Sequence, residues 1–126
     1  MALADAQGWL DRYVAAWRAN DPAMIGDLFT VDAVYYANPF DDGLRGRQAI
    51  VDEWLHVQMP KTFEGAYSPQ LVVGDQVFAS GTTRYFNEDR SLHSEWGNAF
   101  LLRLDETGCC SEYREWYMQR AEVEPA

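Results

Sequence analysis

The chain has 126 residues, enough for one domain, and its 48% hydrophobic and 14% aromatic content can fill a core and still line a cavity. Ten Lys and Arg stand against twenty Asp and Glu, a net charge of −10, which disfavours nucleic acid and anionic membranes as partners. No apolar run is long enough to span a bilayer, and the opening MALADAQGWLDRY lacks the basic and apolar regions of a signal peptide, so a cytoplasmic protein is expected.

Helices are expected first. From Asp5 to Ala19 the residues Trp9, Leu10, Tyr13, Val14, Ala16 and Trp17 recur at helical spacing. Asn20-Asp21-Pro22 stops that helix. Asp21 then caps a short second helix, with Pro22 at its first position, running through Leu28-Phe29. AVYYA, Ala33 to Ala37, reads as a short strand, and the turn formers of 38–43 as a loop. Arg47 to about Gln58 carries Ile50, Trp54 and Val57 on one stripe, a third helix that ends near Pro60.

Strands follow. Thr62 to Val73 and Val77 to Phe86 are joined at Gly74-Asp75, a hairpin turn. Ser91 to Leu104 is a long strand, and Cys109 to Gln119 is the last one. The chain is read as one domain over 1–126, with about 120–126 a loose tail. Cys109 and Cys110 are neighbours whose side chains leave a strand on opposite faces, so both are read as reduced. No spacing of His, Cys, Asp and Glu marks a metal site, and no phosphate loop, nucleophile elbow or dinucleotide fingerprint occurs. Neither a metal nor a cofactor is expected. Helices before an antiparallel meander give the class α+β.

LDRYVAAWRANDPAMIGDLFTVDAVYYANPF, the LRGRQAI that follows, and the closing FLLRLDETGCCSEYREWYM resemble the nuclear transport factor 2-like superfamily, in particular its bacterial SnoaL-like branch. The resemblance implies a cone-shaped, cystatin-like fold. Three N-terminal helices would pack on a strongly curved antiparallel or mixed sheet that encloses a deep apolar pocket. Aligning the closing hairpin puts Tyr113, Glu115 and Tyr117 inside the cone, with Trp96, Asn98 and Phe100 on the strand before. Gly81, Thr83 and Tyr85 face inward on the strand before that, and Tyr35 and Ala37 on the short strand. Tyr13 and Trp17, one turn apart, and Trp54 face the sheet from the helices.

The expected wall is therefore Tyr13, Trp17, Tyr35, Trp54, Tyr85, Trp96, Tyr113 and Tyr117, with Glu115 and Asn98 among them. Either these rings simply fill a core, or they surround a ligand. The many tyrosines favour a cavity, because a buried hydroxyl needs a partner. A small apolar or aromatic ligand is the expected partner.

Family chemistries match this wall only in part. The resemblance to ketosteroid isomerases places their helix-one tyrosine at Tyr13, but Ala37 and Phe100 stand where their two acids belong. Limonene-type epoxide hydrolases place an aspartate at Glu115, yet their other aspartate and arginine fall at Thr83 and Gly81. Polyketide cyclases of the SnoaL branch use an acid at the Glu115 position. His93 should point outward, and His56 lies near the end of the third helix. Two readings of Glu115 stay open. One makes it a general acid or base in an aromatic pocket, aided by Tyr13, Tyr35 and Asn98; the other makes it a structural anchor, paired with an arginine such as Arg47 or with tyrosines. Accordingly the expected function is small-molecule binding, with cofactor-free isomerase, cyclase or hydrolase chemistry, or a non-catalytic carrier, sensor or scaffold. The opposite parity leaves Phe78, Ser80, Thr82, Arg84, Phe86, Arg114, Trp116 and Met118 on the convex face. Their mixture of aromatic, Met and Arg side chains points to a homodimer there.

Overall fold

The computed structural model describes residues 1–57 and 62–121, so the expected helix end at Gln58 to Pro60 and most of the expected tail lie outside the described residues. The helices are α1, Leu3–Ala19, α2, Pro22–Gly26, and α3, Arg47–His56. The strands are β1, Phe29–Tyr36, β2, Leu44–Arg45, β3, Phe63–Val73, β4, Gln76–Phe86, β5, Leu92–Leu104, and β6, Cys110–Gln119. They form one sheet in the order β2-β1-β6-β5-β4-β3. The β1–β6 pair is parallel and the others are antiparallel. The fold is α+β, with helices packed on a mixed sheet.

Local chemistry sets the boundaries. The carboxylate of Asp5 accepts the Ala2 backbone N–H at 2.9 Å, so α1 starts at Leu3 rather than at Asp5. Asp21 caps α2 through Oδ1, which accepts the N–H groups of Ala23 and Met24. That helix ends at Gly26 and does not reach Phe29, because Phe29 is already paired with Cys110 of β6. For the same reason β1 is longer than Ala33 to Ala37. The short β2, paired through Leu44 to Tyr35, is too brief for any periodicity to reveal. Gly74, at φ +60°, makes the tight turn between β3 and β4. Pro69 sits in β3, an end strand of the sheet, where a missing donor is tolerated.

The sheet must curl. Tyr13 of α1 lies with its ring centroid 5.9 Å from Tyr67 of β3, 5.8 Å from Phe100 of β5 and 6.1 Å from Tyr113 of β6. Strands β3 and β6 are three places apart, about 14 Å in a flat sheet, so one ring reaches both only if the sheet wraps around α1. Trp9 extends the same seam toward β1, packing edge-on against Phe29 while its indole N–H donates to the Leu28 carbonyl at 3.0 Å. Ile25, Ile50, Phe100 and Leu102 complete the core.

The convex face carries Phe78, Trp116 and Met118 exposed to solvent, Met118 at 78%. Phe86 and Arg114 are only half exposed. The Arg114 guanidinium lies over the Tyr36 ring and pairs with Glu112 at 2.8 Å, which draws it down onto the sheet. Arg84 and Arg120 both pair with Glu95 at 2.7 Å. No helix among the described residues is long and apolar enough to cross a membrane.

Candidate functional site

Sheet register brings a row of polar side chains together on the concave face. Phe100 lies opposite Glu115, and Asn98 opposite Tyr117, so Asn98 and Glu115 are diagonal neighbours on β5 and β6. Thr83 of β4 is diagonal to Asn98, and Tyr67 of β3 is diagonal to Thr83. Long side chains bridge such diagonals. Asn98 Nδ2 donates to Glu115 Oε2 at 3.0 Å, and Thr83 Oγ1 donates to Asn98 Oδ1 at 2.8 Å. The Tyr67 hydroxyl joins Thr83 Oγ1. From the opposite side the Tyr113 hydroxyl donates to Glu115 Oε1 at 2.5 Å, and the Tyr13 hydroxyl lies 3.2 Å from that of Tyr113. The chain of hydrogen bonds thus crosses four strands and one helix, with the carboxylate at its centre.

Gly65 makes one end of that chain possible. A Cβ there would stand 2.9 Å from the Tyr67 ring, so only glycine lets the ring lie back toward Thr83.

Glu115 keeps some contact with solvent through the cavity mouth, but protein surrounds most of its carboxylate. Burial pushes its pKa up, and the hydrogen bonds from Tyr113 and Asn98 pull it back, leaving it at about 7. No cation among the described residues lies within ion-pair distance of it. Arg47 turns away, donating through Nε and Nη2 to the Phe29 carbonyl at 3.0 and 2.8 Å, so the anticipated Arg47 pairing does not form. The phenols respond to the same surroundings. Burial first, and then the Glu115 charge, raise Tyr13, Tyr35 and Tyr113, so these groups stay protonated at neutral pH.

A cavity of about 280 Å³ opens above this floor. Tyr13, Trp17, Tyr35, Tyr85, Trp96, Asn98, Glu115 and Tyr117 all line it, with Ala37 and Thr83. Trp54 and Tyr113 do not. Trp54, 2% exposed, is wedged edge-on against Trp17 and Tyr13 behind the wall, with no hydrogen-bond partner for its indole N–H among the described residues. Tyr113, 0% exposed, is stacked on Tyr35 at 4.3 Å and reaches the site only through its hydroxyl. His56 is exposed, and its neighbour Val57 reaches the cavity instead. His93 is exposed too, beside Ser94. A wider depression of about 800 Å³ lies around Asp5, Arg12, Asp75 and Asp105. Its polar groups already serve the nearby turns: Arg12 donates to the Gly108 carbonyl at 2.6 Å, and Asp105 accepts from Thr107 and Cys109. Among the described residues no group of three or more His, Cys, Asp and Glu could hold a metal ion.

The pattern of the SnoaL-like domain matches residues 10–108. The chain belongs to the SnoaL-like domain family. Curated relatives include the ECF RNA polymerase sigma factor SigG of Mycobacterium tuberculosis, 40% identical over 65 residues, which are 52% of this chain. The match spans only 16% of that sigma factor's length. A nuclear transport factor 2-like protein of unknown function from Burkholderia xenovorans superposes with a TM-score of 0.71 at 14% identity, over 95% of this chain and 88% of that one. The epoxide hydrolase/cyclase-like enzyme SalBIII, with a role in pyran ring formation in the polyether salinomycin, superposes with a TM-score of 0.66 at 16% identity, over 89% of each chain. At such identities the structural likenesses establish the fold alone.

Sequence reading of this SnoaL-like domain named no role for Tyr67 and no hydrogen bond for Thr83. A signal existed: Phe63, Gly65 and Tyr67 share one face of β3, with the glycine where the next ring needs space. The thiols offer no alternative chemistry. Cys110 is buried, which pushes its pKa up to about 12, and its Sγ–H donates to the Glu112 carbonyl at 3.1 Å.

Proposed function

We propose that this SnoaL-like domain binds a small, largely apolar molecule in the aromatic cone and that Glu115 exchanges a proton with it, or with a water held beside it. The observation that carries this reading is a carboxylate with no cationic partner among the described residues, held at a pKa of about 7 on the floor of a cavity. A group at that value is present in both acid and base forms at neutral pH, which suits general acid–base chemistry. The hydrogen bonds from Tyr113 and Asn98 would orient it, so that its remaining lone pairs face the cavity. The likeness to an epoxide hydrolase/cyclase-like enzyme makes hydroxy-epoxides the first compounds to assay, followed by enolisable ketones. Replacement Glu115→Gln should lower turnover by about 10²- to 10⁴-fold, the usual worth of a positioned acid or base. Absence of conversion by the natural chain, with Glu115 titrating near 4.5, would sink the catalytic reading.

A second reading is favoured by the likeness to part of a sigma factor: a ligand-sensing module without chemistry. In that case Glu115→Gln changes ligand affinity and there is no turnover to lose. For the convex face, Phe78, Arg84, Phe86, Arg114, Trp116 and Met118 support a homodimer. A single monomer peak in size-exclusion chromatography at low micromolar concentration would contradict it.

A further inference from the structure

The proton directions on the cavity floor distinguish between ligands. Thr83 spends its hydroxyl hydrogen on Asn98 Oδ1 at 2.8 Å, so the Tyr67 hydroxyl must be the donor where those two meet. The same bond turns the Asn98 amide nitrogen toward Glu115. On the other side Tyr113 donates to Glu115 Oε1, which makes Tyr13 the donor toward Tyr113. Four hydroxyl protons are thereby committed inside the network, and all of them run toward one carboxylate. Each Glu115 oxygen accepts one hydrogen bond and has capacity for about one more. Tyr13, which could have served as the donor for a ligand carbonyl, is not free to do so while Glu115 is ionised.

The remaining hydroxyls do not discriminate, because a phenol both donates and accepts. The discriminating group is Glu115, the only charged side chain among the described residues that line the cavity. Around it the rings of Trp17, Tyr85, Trp96 and Tyr117 line the same space. Aromatic faces attract cations, and the effect grows where water is excluded. An anionic floor beneath such rings repels an oxyanion and leaves a neutral carbonyl without a committed donor. The chain's net charge of −10 draws cations toward it and anions away. At about 280 Å³ the space is at the small end for a ligand pocket, suited to a molecule of one or two rings.

We infer that the cone takes a protonated organic amine, its ammonium on Glu115 and its hydrocarbon part against Trp17, Tyr85, Trp96 and Tyr117. This rests on the proposed reading of the cone as a ligand pocket, not on the proton exchange proposed for Glu115, and names the polar end of a ligand it would hold. A bound ammonium holds Glu115 ionised, so binding near neutral pH releases a proton to the buffer.

Three probes of one shape test the inference by calorimetry on the full chain at about pH 8: benzylammonium chloride, benzyl alcohol and sodium benzoate. The amine should bind at least about tenfold more tightly than the alcohol, and benzoate should give no heat of binding. At about pH 5.5, where Glu115 is protonated, the amine's advantage in the natural chain should fall below about threefold, and in Glu115→Gln it should be equally small at both pH values. Equal affinities for amine and alcohol, or measurable binding of benzoate, would overturn the amine inference and leave the pocket reading standing. An advantage that survives in Glu115→Gln would assign it to the surface charge and also overturn the inference. If none of the three binds, the pocket reading falls with it.

Discussion

Two glutamates on neighbouring strands of one sheet behave in opposite ways. Glu95 of β5 faces the convex side, where Arg84 and Arg120 each pair with it at 2.7 Å, and their hydrogen bonds hold its carboxyl below the usual carboxylate range. Glu115 of β6 faces the concave side, where its partners are a phenol and an amide, and burial raises it to about 7. The residue type is the same and the sheet is the same. What differs is the face, which decides whether water and guanidinium or rings and hydroxyls surround the carboxylate. One face therefore stores a permanent charge, and the other a proton that comes and goes near neutrality.

The largest expected effect on stability follows from that contrast. Glu115 ionises near 4.5 when unfolded and at about 7 when folded, so its ionisation costs the fold about 3 kcal/mol at high pH. The folded form binds the proton more tightly. Its contribution is thus fully present below about pH 4.5 and is lost as the pH rises through about 7. Urea unfolding of the natural chain and of Glu115→Gln at pH 4 and pH 8 should show the variant gaining stability only at the higher pH. Replacement of Glu95 by Gln should change stability in the opposite direction, since it removes a carboxylate that the fold prefers ionised.

Next in size, Gly65→Ala should cost about 1–3 kcal/mol, because the new methyl strikes the Tyr67 ring and turns its hydroxyl away from Thr83. Loss of a Tyr67-specific nuclear Overhauser contact to Thr83, together with a lower urea midpoint, would record both consequences. Replacement Tyr113→Phe deletes a buried hydroxyl and should cost about 1 kcal/mol. The same change removes a hydrogen bond that favours the ionised carboxylate, so the carbon-13 titration of Glu115 should move above 7. The smallest effect belongs to the convex face. Arg84→Ala breaks a solvent-exposed pair and should cost under about 1 kcal/mol, vanishing in molar salt. A Glu115 titration that shifted as strongly with salt as the convex pairs weaken would erase the contrast between the faces.

Much of this arrangement was legible in the residues. The helical spacing of Trp9, Tyr13 and Trp17, the cap at Asp21 and the turn at Gly74-Asp75 are local features that act within a few residues of chain. The two-residue alternation of β6 likewise separates Tyr113, Glu115 and Tyr117 from Arg114, Trp116 and Met118 whatever the strand pairs with. That alternation placed Glu115 among rings before any contact was known. Trp54 and Tyr113 were read to the correct side but not to the correct depth, since a helical stripe or a strand face does not fix how many layers lie between a side chain and the cavity. Strand β2 and the length of β1 escaped notice because pairing partners far away in the chain define them.

The amino-acid sequence by itself determined the class of fold, the division of each strand into two faces and the presence of one acidic residue among aromatic ones, because all three depend on short-range spacing; which face turns inward came from the family resemblance. Only the tertiary structure decided that Asn98, Thr83 and Tyr67 stand on successive diagonals from Glu115. It alone turned Arg47 to the Phe29 carbonyl and the Tyr13 hydroxyl to that of Tyr113. Diagonal contact depends on the register of three separate strand pairs, and register is a property of the assembled sheet. Burial in the assembled fold raises the pKa of Glu115, and the hydrogen bonds from Tyr113 and Asn98 temper the rise, which is why that value belongs to the fold rather than to the residue.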